Sequence, residues 1–128
     1  MKNILIIDDQ PYLPELLSEV LQSEGYRSVN IANVESINEH LRNSRTDLVL
    51  LDLQLDGLKG WDVLNDIKRE HPHLPVLIFT AYDSYVDDPR LSQADGYVVK
   101  DFTDFDRLKK RMSEVLGANS RSDIEKRE

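Results

Sequence analysis

The sequence predicts an α/β fold in which a parallel sheet is covered by helices on both faces. Short apolar runs alternate with apolar stripes of 3.6-residue period, and the alternation recurs five times. The runs are apolar at consecutive positions, so the strands bury both faces, as parallel strands under helical layers do. No internal repeat or linker interrupts the chain before its polar end, which predicts a single domain over residues 1–117 and a frayed tail over 118–128.

The elements follow in order. Residues 3–7, NILII, predict a buried strand. Leu13, Leu16, Leu17, Val20 and Leu21 then form a helical stripe that stops at Gly25, a residue suited to closing a helix. Residues 27–32 form a weaker strand, and Val34, Ile37 and Leu41 mark a shorter second helix. Residues 47–53, DLVLLDL, are the most apolar run and therefore the central strand. Trp61, Leu64 and Ile67 mark a third helix closed by His71-Pro72, and Trp61 reads as ordinary core. Residues 75–79 and 96–99 are the fourth and fifth strands. The intervening stretch YDSYVDDPRLSQA should hold a fourth helix, but Pro89 fits only a first turn. That helix therefore begins no earlier than Asp88 and is short or loose, leaving residues 83–92 mobile. Thr103 and Asp106 resemble a capping box for a last helix ending near Gly117.

Composition excludes several function classes. Apolar residues are 40% of the chain and charged residues 31%, a balance that fits a globular domain and not general disorder. Without cysteine there are no disulfides and no thiolate–metal chemistry. No apolar stretch reaches the roughly 20 residues of a membrane span. The start MKNILIIDDQ carries an acidic pair where a signal peptide would not, so a cytoplasmic location is expected. The net charge of −8 disfavours direct nucleic-acid binding and anionic membranes. The basic run RLKKR from Arg107 to Arg111 reads as the solvated face of a helix whose other side carries Leu108, Met112 and Val115. His40, His71 and His73 have no partners at metal-ligand spacing, and none belongs to a catalytic triad.

Parallel sheets place their sites at the carboxyl ends of the strands. There the first strand delivers Asp8 and Asp9, the third Asp52, the fourth Thr80 and the fifth Lys100. Taken singly, each has a bland reading as loop acid, strand end or surface lysine. Together they bring three carboxylates, a hydroxyl and an ammonium to one rim. Neighbouring carboxylates repel unless a cation joins them, and an all-oxygen site suits magnesium. A metal beside Asp52 would neutralise an incoming phosphoryl group, Thr80 would hydrogen-bond one of its oxygens and Lys100 would pair with another. Carboxylate attack on phosphorus gives an acyl phosphate.

The stretches IIDDQ, LVLLDLQLDGLKGWDVL, PVLIFTA and ADGYVVKDF resemble the receiver domain of two-component response regulators, over residues 1 to about 117. The resemblance implies a three-layer, flavodoxin-like, doubly wound fold with five parallel strands in the order 2-1-3-4-5. It implies phosphorylation of Asp52 by a histidine kinase or histidine phosphotransfer protein. Magnesium or manganese would be held by Asp8, Asp9, Asp52 and the backbone carbonyl of Gln54. Thr80 and Tyr97 match the switch pair, while Gln54 and Tyr82 occupy positions that tune dephosphorylation. Such a protein is a phosphoacceptor that assists its own phosphorylation and dephosphorylation, and phosphorylation-linked dimerisation is compatible with it. With no output domain after Gly117, the signal would leave through an unknown protein target or by onward phosphotransfer.

The chain departs from the family pattern in four places. Lys100 is followed by Asp101 instead of proline in a cis bond; a cis non-proline bond costs about 2.5–4 kcal/mol, so a trans bond and a different aim for Lys100 are expected. Asp56 stands where proline is usual, Lys59 where an acidic residue is common, and the stretch between Thr80 and Lys100 is short. The short stretch leaves less helix for Tyr97 to pack against, so both of its rotamers should be populated at rest. The departures leave phosphoacceptance standing and make the family's usual output face a poor guide. Three rivals share parts of the pattern. A haloacid-dehalogenase-like phosphatase needs a second aspartate where Gln54 stands and a nucleophile on its first strand. A flavodoxin-like carrier needs a phosphate-cradling loop where DDQPYLP stands. A receiver-shaped scaffold that no longer switches would explain the altered fourth helix.

Overall fold

A computed structural model describes residues 1–10, 12–55, 58–81 and 87–127. Five parallel strands form the sheet: β1 (Asn3–Ile7), β2 (Arg27–Asn30), β3 (Leu48–Leu51), β6 (Val76–Thr80) and β7 (Gly96–Val99). A two-residue antiparallel ribbon, β4 (Gln54–Leu55) with β5 (Leu58–Lys59), lies between β3 and the third helix. The sheet order is β2-β1-β3-β6-β7, which is 2-1-3-4-5 when only its own strands are counted. The apolar strand β3 is central, as its composition predicts.

Strand alternation sorts the core into two layers. Ile4, Ile6, Leu48 and Leu50 face α1 (Leu13–Ser23) and α4 (Asp106–Arg127), meeting Leu13, Leu17, Leu21, Leu108 and Met112. Leu5, Ile7, Val49 and Leu51 face α2 (Val34–Asn43) and α3 (Gly60–Glu70), meeting Ile37, Val63, Leu64 and Ile67. Each fully buried aliphatic side chain contributes about 1.5–3 kcal/mol, and the central strands bury theirs on both faces. Leu108 and Met112 are buried while Arg107 and Lys110 are exposed, so the basic run is the outer face of an amphipathic helix.

Several boundaries differ from the sequence reading. The central strand closes at Leu51, with Asp52 N still bonded to Ile7 O, and at its start Asp47 accepts the Asn3 N–H through its side chain at 2.8 Å. Residues 89–93 form a 3-10 helix, Pro89–Gln93, whose first turn is capped by Asp88 Oδ1 accepting from Arg90 N at 2.9 Å. This matches the short element expected from Pro89; residues 82–86 of the same stretch lie outside the described residues. The last helix runs to Arg127 and does not end near Gly117. Among the described glycines only Gly25 adopts the positive φ (86°) of a helix-closing glycine, so Gly117 carries no stop signal. Thr103 forms no capping box either. Asp101 Oδ1 accepts from both its N–H (2.9 Å) and its hydroxyl (2.6 Å), and Asp104 Oδ1 accepts from Asp106 N at 2.8 Å as the helix starts.

Gly60 opens α3 where a Cβ would lie 2.4 Å from Leu53 Cα and 2.6 Å from its carbonyl oxygen. Both are backbone atoms, so a larger residue must push the helix away from the loop that follows Asp52. Gly60→Ala should therefore lower stability by about 1–3 kcal/mol despite alanine's better helix propensity, read as a reduced urea midpoint. An unchanged or raised midpoint would show that the helix start can retreat freely.

Candidate functional site

Ladder hydrogen bonds carry each site residue to the same rim. Asp52 N donates to Ile7 O at 3.0 Å, and Lys100 N donates to Thr80 O at 2.7 Å. The order β2-β1-β3 reverses direction between β1 and β3, so Asp8 and Asp52 flank the switch point where doubly wound sheets open a crevice. Both are buried, as are Thr80 and Lys100.

Lys100 Nζ donates to Asp8 Oδ2 at 2.6 Å and to Asp52 Oδ2 at 2.8 Å. A third acceptor is the side-chain oxygen of Gln10 at 2.5 Å. The remaining carboxylate oxygens accept backbone N–H groups two residues on: Asp8 Oδ1 from Gln10 at 2.9 Å and Asp52 Oδ1 from Gln54 at 3.0 Å. No cis peptide bond occurs among the described residues, so the Lys100–Asp101 bond is trans as expected. The expected change of aim does not follow, because Lys100 reaches both carboxylates. Burial pushes the Asp8 carboxyl above its ordinary range, and the Asp52 charge adds to the push. Hydrogen bonds from Lys100 and from Gln10 N, with the Lys100 charge, pull it back.

Thr80 is fully buried, and its hydroxyl finds no hydrogen-bond partner among the described residues. Tyr97 pairs with Ile78 across β6 and β7, so Thr80, two residues after Ile78, shares its face of the sheet. The Tyr97 ring is half-buried against the α2/α3 layer, alongside Leu91, Ala94 and Trp61. Trp61 is itself only half-buried, at the margin of the core, with the Arg90 guanidinium 4.1 Å from its ring centroid.

Of the three predicted metal carboxylates, Asp8 and Asp52 come together and Asp9 lies exposed. Among the described residues no three His, Cys, Asp or Glu side chains gather as a metal-holding group. The donor chemistry still fits a hard divalent cation: two buried carboxylates already share one cationic partner, and magnesium uses one or two carboxylates with water completing its shell. Gln54 is exposed, and Tyr82 lies outside the described residues. The sequence reading missed Gln10, whose only sequence signal is its place directly after the acidic pair.

The family model described as the response regulator receiver domain matches residues 4–113. The chain belongs to the receiver family. Among curated receivers, the probable transcriptional regulatory protein TcrX of Mycobacterium tuberculosis is 36% identical over 104 residues, 78% of this chain and 44% of TcrX. Sporulation initiation phosphotransferase F of Bacillus subtilis is 38% identical over 81 residues, 63% of this chain and 65% of that protein. This receiver spans about half the length of the first curated relatives it matches. Among solved receivers, response regulator TrrA of Thermotoga maritima, in complex with Mg2+-BeF, superposes with a TM-score of 0.83 at 37% identity, covering 90% of this chain and 99% of that one. A second TrrA structure, in complex with the histidine kinase ThkA, gives 0.83 at 38% identity over 91% and 99%. No described helix is long and apolar enough to cross a membrane.

Lys100 is the cation that keeps Asp8 and Asp52 together, so its removal should be costly. In Lys100→Met, burial and the Asp52 charge would raise the Asp8 carboxyl with less opposition. A carboxyl raised on folding contributes stability at low pH that is lost as pH rises through its folded value. The variant should lose about 3–5 kcal/mol at pH 8 and distinctly less at pH 5, measured by urea unfolding without divalent metal. An equal loss at both pH values would mean that Lys100 acts by packing and not by charge.

Proposed function

We propose that this receiver accepts a phosphoryl group on Asp52 and signals by changing shape. The observation that carries the proposal is the buried triad Asp8–Lys100–Asp52 on the same rim as the buried hydroxyl of Thr80, which has no partner among the described residues. An Asp52 carboxylate oxygen attacks phosphorus, the bond from phosphorus to the donor breaks, and the donor group leaves with the electron pair. Lys100 then turns one N–H from Asp52 to a phosphoryl oxygen, and Thr80 donates its hydroxyl to another. Both groups stabilise charge already present, which is the main task in phosphoryl transfer. Magnesium or manganese, held by Asp8, Asp9, Asp52 and the Gln54 carbonyl, would supply further charge neutralisation.

The TrrA complexes with Mg2+-BeF and with a histidine kinase support the metal and the donor class. The donor is a histidine kinase or histidine phosphotransfer protein. Residues 1–117 form the functional unit and 118–128 an appended tail, acting in the cytoplasm through a protein target or onward phosphotransfer. In this reading the protein binds neither nucleic acid nor membrane, and phosphorylation-linked dimerisation is open to it. Thr80 and Tyr97 form the switch, and Gln54 with Tyr82 tunes dephosphorylation. The 3-10 helix Pro89–Gln93 favours a second reading, a scaffold with the site but no switch.

Incubation with acetyl phosphate and magnesium should add one base-labile phosphate to the protein, seen by mass spectrometry, and none to Asp52→Asn. The same gain in Asp52→Asn would remove the assignment. Tyr97 side-chain resonances that do not move on phosphorylation would favour the scaffold.

The metal reading has its own test. Asp9→Ala deletes one carboxylate from the proposed shell, and even outer-shell partners typically matter by about 10–100-fold. Magnesium affinity measured by calorimetry should fall about tenfold or more. An unchanged affinity excludes Asp9 from the shell.

A further inference from the structure

An ammonium has three N–H donors, and the structure offers Lys100 three acceptors: Asp8 Oδ2, Asp52 Oδ2 and Gln10 Oε1. The third is a neutral amide, half-buried at the rim. The Gln10 N–H donates to Asp8 Oδ1 at 2.9 Å, so Asp8 and Gln10 are tied to each other and grip the ammonium from neighbouring positions of one turn. We propose that Gln10 is a positioning residue for phosphoryl transfer, holding the Lys100 ammonium in place while Asp52 changes partner.

The inference rests on the reading of Asp52 as phosphoacceptor. When an Asp52 oxygen bonds to phosphorus and the leaving group departs with its electron pair, that oxygen loses its negative charge. The Lys100 N–H it held needs a new acceptor, and a phosphoryl oxygen supplies one. Held by Asp8 alone, the ammonium would pivot about a single bond on a flexible four-carbon stem. Held also by Gln10, it is fixed at two points and its third N–H stays aimed at the reacting group. Orientation of this kind is lost when a positioning contact is removed, although no reacting atom has been touched.

Gln10→Met keeps the length of the side chain and removes the acceptor. The rate of Asp52 phosphorylation by acetyl phosphate at saturating magnesium should fall about tenfold. In a Lys100→Met background the same substitution should change the rate less than twofold, because its effect passes through Lys100. A purely structural role for Gln10 would slow both backgrounds alike. In the Gln10→Met protein alone, the Lys100 ammonium resonance of 15N-lysine-labelled material should exchange with water faster than in wild type. A wild-type rate in Gln10→Met, equal slowing without Lys100, or unchanged ammonium exchange would each overturn the proposal. Failure of the phosphoacceptor reading would look different: no uptake by wild type, or uptake that survives Asp52→Asn, and it would take this inference with it.

Discussion

The Lys100 ammonium between Asp8 and Asp52 is the interaction on which the arrangement turns. Its partners lie 92 and 48 residues away in sequence, so no local segment can form it. It exists because three parallel strands end at one level. All three side chains are nearly excluded from solvent, at 1–3% exposure. A charge buried without its partner costs several kcal/mol, so each group is tolerable only where the others are. The pairs Ile7 with Leu51 and Thr80 with Val99 set that level. A one-residue slip of any strand would turn its apolar set to the wrong layer and carry its charged residue away from the rim. Register and charge pairing therefore enforce one another.

Much of this was legible in the sequence because parallel strands buried on both faces leave continuous apolar runs, and a polar or charged residue ending such a run marks the rim. Asp8, Asp52, Thr80 and Lys100 were found in that way. What escaped depends on choices between competing partners that spacing does not reveal. Asp101 takes the Thr103 hydroxyl that a capping box would have used. Gly117 looks like a stop, but a glycine stops a helix only with positive φ, and α4 continues through it. Gln10 looks like a loop residue until Lys100 arrives from the far end of the chain. The two-residue ribbon at β4 and β5 is too short for any periodicity to announce.

The loop after Asp52 is held against the start of α3 by the close approach of Gly60 to the Leu53 backbone. The next residue, Trp61, lies under Arg90, and Arg90 Nη2 is paired at 2.7 Å with Asp88, the cap of the 3-10 helix. Leu91, Ala94 and Tyr97 complete the same layer. The 3-10 helix Pro89–Gln93 thus joins this layer through Leu91 and through the stacking of Arg90 on Trp61.

Proximity alone transmits nothing; a switch needs an interaction that differs between its two states. With Asp52 as the proposed phosphoacceptor, Thr80 would supply one. Its hydroxyl is fully buried with no partner among the described residues, and a buried hydroxyl gains about 1–3 kcal/mol where an acceptor replaces none. A phosphoryl oxygen on Asp52 would offer that hydroxyl an acceptor. Thr80 shares its sheet face with Tyr97, one register step along the β6–β7 pair. The free energy available to bias Tyr97 is then of the order of one buried hydrogen bond. Acting on the half-buried Tyr97 ring, a bias of that size shifts a population by roughly 5- to 150-fold.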